Sequence, residues 1–249
     1  MEILGALLAG SFIGAVLGFV GAGGAMLSVP ILMYGFGFDP KLATTAALAV
    51  VFLASLSGVL PKARAKQVLY RDAFAISGIG LVTNFGFASI ARHIPDAFIT
   101  TGFSTVLFFA GLSMLRKTKL DTHKRMPVPV LILTSLAIGS MTGLFGIGGG
   151  FLAIPVLVLF FGTPQAVAAG TSLLIIATNS LISFLGHHAL WSQVKWHIPI
   201  FMGAAAVIVA QLASRYSGRA TAKKPGPYFA ILLFAVSLFT LAKTWIFSS

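Results

Sequence analysis

The chain has 249 residues, of which 57% are hydrophobic and only 9% charged, with a mean hydropathy of +0.98. A soluble domain carries about 25% charged residues, so this composition lacks the polar surface that water demands. The formal net charge of +12 sits mostly in three short connections, and the absence of cysteine excludes disulfides, thiolate metal sites and thiol redox chemistry.

Taken in chain order, apolar stretches occupy Ile3–Val20, Leu42–Leu60, Ala73–Ala91, Ala97–Leu115, Pro127–Phe161, Ala166–Gly186, Ile198–Ser214 and Pro225–Ala242. About 20 residues of helix cover the roughly 30 Å hydrocarbon core of a bilayer. Backbone polar groups in lipid must be satisfied within the segment, and the two-residue alternation of a barrel strand is missing. The expected fold is therefore an all-α polytopic membrane protein. The first 40 residues contain no Lys or Arg, so no cleaved signal peptide is expected.

The stretch Gly18–Pro30 (GFVGAGGAMLSVP) recurs 125 positions later as Gly143–Pro155 (GLFGIGGGFLAIP). Gly18, Gly21, Gly23, Gly24, Leu27 and Pro30 match Gly143, Gly146, Gly148, Gly149, Leu152 and Pro155. At the same offset Ala43–Leu48 lies over Ala168–Leu173, and a one-residue slip pairs Pro40 with Pro164. The chain thus divides into a first membrane repeat, residues 1–117, a basic cytoplasmic connection, 118–126, and a second membrane repeat, 127–249.

Thirteen of the 17 basic residues flank apolar spans: Lys62, Arg64, Lys66 and Arg71; Arg116, Lys117, Lys119, Lys124 and Arg125; Arg215, Arg219, Lys223 and Lys224. The positive-inside rule accounts for this pattern without a nucleic-acid partner. With those connections in the cytoplasm, the loop 61–71 lies inside and its counterpart 187–197 lies outside, so the halves read as inverted-topology repeats. Residues 3–36 and 127–162 must each then return to the side on which they start. Each is too long for one span, and each reads as a helical hairpin broken at its glycines, giving about five helical segments per half.

Glycines alone permit tight helix packing in membranes, and a single GxGG motif would suggest no more. Their duplication in equivalent broken segments points further, to helix N-termini whose N–H groups and positive dipole ends converge near the midplane on an anion. The expected substrate-binding backbone is Gly21, Gly23 and Gly24 in the first half, with Gly146, Gly148, Gly149 and Gly150 in the second. Thr171, Ser172 and Asn179 share one side of the 166–186 helix and are the expected side-chain donors, with Thr45 a weaker counterpart in the first half. Thr178 and Ser183 fit hydroxyls bonded back to helix backbone. Thr44, Ser55 and Ser57 are further weak candidates, and the role of Asn84 is open.

None of the five acids (Glu2, Asp39, Asp72, Asp96 and Asp121) falls deep in a span, nor does any Lys or Arg. This argues against a cation pump, a carboxylate-coupled symporter and an intramembrane enzyme. No Walker sequence is present, no cofactor or metal is expected, and His187 and His188 read as wet residues of an interfacial belt with Trp191 and Trp196. The partners expected are a small anionic substrate and the lipid bilayer, with self-association left open.

GLFGIGGGFLAIP (143–155), VAAGTSLLIIATNSL (167–181) and GFVGAGGAMLSVPIL (18–32) together resemble the TauE/SafE family of membrane permeases over nearly the whole chain. The first half departs from it with Ala46-Ala47 where the second has Thr171-Ser172. The resemblance implies transport of a small sulfur-containing anion, such as sulfite or an organosulfonate, across a bacterial inner membrane. Carriage of another organic anion or a neutral solute, an anion channel and a non-transporting scaffold subunit are the competing expectations.

Overall fold

The computed structural model describes residues 2–21, 24–115, 128–146, 153–154, 157, 163–217 and 226–245. Among them are nine α-helices and no strand: α1 (Glu2–Val20), α2 (Gly24–Pro30), α3 (Pro40–Arg64), α4 (Tyr70–Ile90), α5 (Asp96–Leu115), α6 (Val128–Phe145), α7 (Gln165–Gly186), α8 (His197–Ser217) and α9 (Gly226–Trp245). The basic connection 118–126 lies outside the described residues. Five helices, α1, α3, α4, α7 and α8, are long and apolar enough to cross a membrane.

The surface is arranged for lipid. Phe98 is 75% exposed and Val82 is 74% exposed, while Asn84, Asn179, Ser172 and Thr171 are fully buried. Such a distribution costs apolar contact with water in a soluble protein and costs nothing in hydrocarbon, where the polar groups instead avoid lipid.

Chain breaks fall where the sequence dictates. α1 stops at Val20 because Gly21 adopts φ +84°, a conformation that side chains rarely reach, and α6 stops at Phe145 before Gly146 at φ +68°. The short α2 follows, and after Pro30 the chain widens into a π-helical turn, Ile31–Gly35. Proline offers no N–H to the preceding turn, which removes one rung of the ladder there. The stretch from Gly24 to Gly35 is a short apolar helical segment. Its second-half counterpart, around 147–162, lies largely outside the described residues.

One departure concerns α3. The apolar run predicts a helix over 42–60, yet α3 begins at Pro40 and continues through Pro61 to Arg64. Lys62, read from the sequence as a loop cation, is in the last turn and only 2% exposed. Its position four residues after buried Gly58 places it on the inward stripe of α3, and that periodicity overrides its charge.

Helix pairing follows from small residues. α1 lies along α8, α6 lies along α4, α3 touches both α7 and α8, α4 touches α7, and α5 packs on α9. At the α1/α8 seam, a methyl built on Gly14 would sit 2.5 Å from the Ala206 carbonyl oxygen, and one on Gly18 would sit 2.7 Å from that of Ala210. At the α6/α4 seam, Gly139 meets the Gly80 carbonyl and Gly143 meets the Asn84 carbonyl. Gly21 abuts Ala169 on α7, and Gly146 abuts Thr44 on α3. Every one of these pairs maps onto the other when the two halves are exchanged: 125 positions relate α1 to α6 and α3 to α7, and 126 relate α4 to α8.

These seams leave no room for a β-carbon. Gly139→Val should therefore destabilise the fold by about 1–3 kcal/mol or more. Gly78, which has nothing within 4 Å of its β-position, should accept alanine without loss. Thermal unfolding of the two purified variants checks the contrast.

Candidate functional site

α7 is the element on which the predicted site residues meet. It runs antiparallel to α3, with Gly58 facing Leu173, and parallel to α4, with Asn84 bonded at Asn179 and Gly186 facing Ala88. At 100° per residue, Ser172, Asn179 and Ser183 share one stripe. Ser172 Oγ donates to the Gly21 carbonyl at 3.0 Å, and Ser183 Oγ donates to the Thr142 carbonyl at 3.2 Å. The stripe therefore reaches the end of α1 at one extremity and the last turn of α6 at the other.

That spacing corrects one expectation. Ser172 and Ser183 are eleven residues apart, about 16 Å of helix, and Gly146 lies one turn beyond Thr142. Gly21 and Gly146 thus flank opposite ends of α7 and do not converge on one midplane point. The reason lies in the parallel seams: α1 and α6 point in opposite directions, so their glycine ends do also. Gly24 is described, fully buried at the start of α2 against Ile13 and Leu17, whereas Gly23, Gly148, Gly149 and Gly150 lie outside the described residues.

Between the two bonded serines sits Asn179. It is completely buried, and neither its Oδ1 nor its Nδ2 has a hydrogen-bond partner. Leaving a buried amide unpaired costs about 1–3 kcal/mol, which makes it the most expensive uncommitted group on this stripe. Its backbone carbonyl accepts from Asn84 Nδ2 at 2.9 Å, while Asn84 Oδ1 is itself buried and unpartnered. Asn84, left without a role by the sequence, thus ties α4 to α7 beside Gly143 and brings a second amide to the junction of α4, α6 and α7. Thr44 Oγ1, beside the Gly146 break, is a further buried and unpartnered hydroxyl.

The other hydroxyls singled out from the sequence are committed to backbone, whereas Ser180 Oγ on α7 is buried without a partner. Thr171 Oγ1 donates to the Val167 carbonyl at 2.8 Å and accepts from the Leu69 N–H at 3.0 Å, which caps the connection after α3. Thr45 donates to the Lys41 carbonyl, Thr178 to that of Leu174, and Ser55 to that of Val51. Ser57 bridges α3 to the Val207 carbonyl on α8. Hydroxyls in apolar helices find a carbonyl one turn back more cheaply than any other acceptor. Among the described residues no group of acids, histidines or cysteines is placed to hold a metal ion.

Past the end of α7, the chain folds back through a 3-10 turn, His188–Gln193. Trp191 stacks on Phe184 at 4.6 Å between ring centroids and donates from Nε1 to the Phe184 carbonyl. His188 is exposed as expected, but His187 is only 3% exposed, with Nδ1 at 2.8 Å from the Ser183 carbonyl. The reading of both histidines as wet is corrected for His187, which is buried at the end of α7 with its ring held to the Ser183 carbonyl.

The family model described as Sulfite exporter TauE/SafE matches residues 6–240 of this chain. A probable membrane transporter protein of Xylella fastidiosa (strain 9a5c) is 27% identical over 245 residues, covering 95% of this chain and 94% of its own length. The probable membrane transporter protein YunE of Bacillus subtilis is 27% identical over 217 residues, covering 75% and 78%. One from Methanocaldococcus jannaschii is also 27% identical, over 190 residues, covering 72% and 71%.

Burial holds the His187 imidazole below its ordinary pKa, partly offset by the Ser183 carbonyl. The folded state then binds this proton less readily than the unfolded chain. Stability is full above the unfolded value near 6.5 and is lost as pH falls below it toward the folded value. The melting temperature of the wild type should drop between pH 7.5 and 5.5 by more than that of His187→Gln; equal drops would remove His187 from the account.

Proposed function

The chain belongs to the sulfite exporter TauE/SafE family and is a membrane transporter, and from that premise we propose that it is a secondary carrier for a small sulfur-containing anion, sulfite or an organosulfonate, in a bacterial inner membrane. The anion binds at Asn179. Its oxygens accept from Nδ2, the one strong donor on the α7 stripe not already used by the protein. This observation carries the reading. A buried amide kept unpaired at about 1–3 kcal/mol is a cost that a transported ligand offsets each time it binds.

The Gly146 N–H donates to the Thr142 carbonyl at 3.0 Å, so Gly148, Gly149 and Gly150 are the further backbone donors proposed for the second half. The Gly21 N–H donates to the Leu17 carbonyl at 2.8 Å, so in the first half Gly23 and Gly24 are the proposed donors, to an anion entering or leaving rather than to one at Asn179. Ser172 Oγ fixes Gly21 through its carbonyl, and Thr171 fixes the turn after α3, so both act on the geometry of the path rather than on the anion itself. No ionised side chain enters this scheme. An anion held by neutral dipoles is bound weakly enough to leave again, which a carrier requires and a tight electrostatic trap prevents.

Alternating access follows from the exchange of the halves. In this reading they are inverted repeats, with Gly21 at one end of α7 and Gly146 at the other. Opening the Gly21 end and closing the Gly146 end exposes Asn179 to one side; the reverse exposes it to the other. The exchange-invariant helix seams support this, as do loop charges that place equivalent connections on opposite faces.

Proteoliposomes holding the purified protein should show saturable uptake of radiolabelled sulfite or a small sulfonate, accelerated by unlabelled anion inside. Asn179→Leu should lower that flux about tenfold or more while leaving the melting temperature unchanged or higher, since it removes an unpaired amide. Full flux in Asn179→Leu would return the residue to a packing role. Conductance without saturation or exchange would contradict a carrier.

A further inference from the structure

A cavity of about 520 Å³ opens between the C-terminal ends of α3 and α8, remote from Asn179. Lys62, Arg64, Gln67 and Arg215 line it, together with Leu212 and Tyr216, and among the described residues no acid does. Lys62 is nearly fully buried there, and among the described residues no carboxylate lies within ion-pair distance of it. A lysine with its stem buried beside two arginines, and with no carboxylate of the described residues to pair with, favours an anion in the cavity.

The surroundings identify which anion. Ile208, Leu212 and Tyr216, spaced by four residues, form an exposed apolar stripe on α8 that leads into the cavity. Leu53, Leu56 and Leu60 form a matching exposed stripe on α3, and Leu53 lies 3.8 Å from the β-position of Gly203 at the α3/α8 seam. A free inorganic anion would use the cations and leave this seam idle. A phospholipid uses both.

We propose that the cavity holds the phosphate headgroup of an anionic phospholipid, with Lys62 and Arg215 as its anchors and an acyl chain laid along the α3/α8 seam. A basic pocket between helices at the membrane face is the recognised setting for such headgroups. The occupant neutralises the buried Lys62 and clamps together two helices that belong to different halves of the chain. This site is independent of the substrate reading, because it shares no residue with the α7 stripe.

Native mass spectrometry of the detergent-purified protein tests it with phosphatidylglycerol, phosphatidylcholine and inorganic phosphate as probes. Phosphatidylglycerol should be retained in preference to phosphatidylcholine, and Lys62→Gln and Arg215→Gln should each weaken it about fivefold. Millimolar inorganic phosphate should fail to displace it. Arg215 is exposed, so Arg215→Gln keeps the protein folded and decides the matter even if Lys62→Gln does not fold. Equal retention of the two lipids, unchanged binding in folded Arg215→Gln, or displacement by inorganic phosphate would overturn the proposal.

Discussion

Everything in this molecule is positioned by backbone lying directly against backbone at two seams. In hydrocarbon, helices gain nothing by hiding apolar surface from one another, so close contact and dispersion must hold them together. Gly14 and Gly18 let α1 reach the carbonyls of α8, and Gly139 and Gly143 let α6 reach those of α4. The seams run parallel, which fixes the direction of α1 and α6 and carries Gly21 and Gly146 to opposite ends of α7. A single added methyl at either seam shifts the helix end, the break that follows it and the contact each break makes with α7 or α3.

On that exchangeable frame the side chains are unequal, and the proposed site draws on the inequality. Asn84 occupies the place that Ala210 holds in the other half, and Thr171-Ser172 the place of Ala46-Ala47. The frame needs only small residues at these positions, as Ala210 and Ala46-Ala47 demonstrate. The polar versions are therefore extra, and they gather on α7 and on the helix that bonds to it. Asn179 likewise faces Ala54 across the repeat. In the proposed carrier, two halves supply the moving parts, while one supplies most of the ligand groups.

Much of this was legible in the sequence. Uninterrupted apolar runs placed α1, α4, α5, α7, α8 and α9 to within a few residues, because in lipid a span and a helix are nearly the same constraint. The duplicated glycines marked where α1 and α6 end, since few other residues accept the positive φ found at Gly21 and Gly146. Less legible was anything set by the neighbours of a helix. Whether Thr171 faces a ligand or caps the turn at Leu69 depends on where α3 ends, and α3 ran past its apolar stretch to bury Lys62. His187 looked wet beside His188, yet it is buried with its ring held to the Ser183 carbonyl one turn back. The convergence of both glycine breaks on one point failed for a similar reason: loop charges gave the direction of each half but not the parallel seams that hold the broken helices apart.

Opposed halves are the claim on which the carrier mechanism rests, and the topology of two loops reports on it directly. Lys66 follows α3 and Ser192 follows α7, and these helices run antiparallel through the centre of the molecule. Reporter fusions that are active on only one side of the membrane, placed at Lys66 and at Ser192 in living cells, should give opposite results, with Lys66 in the cytoplasm. Both reporters on the same side would contradict the inverted arrangement and, with it, the alternating exposure of Asn179.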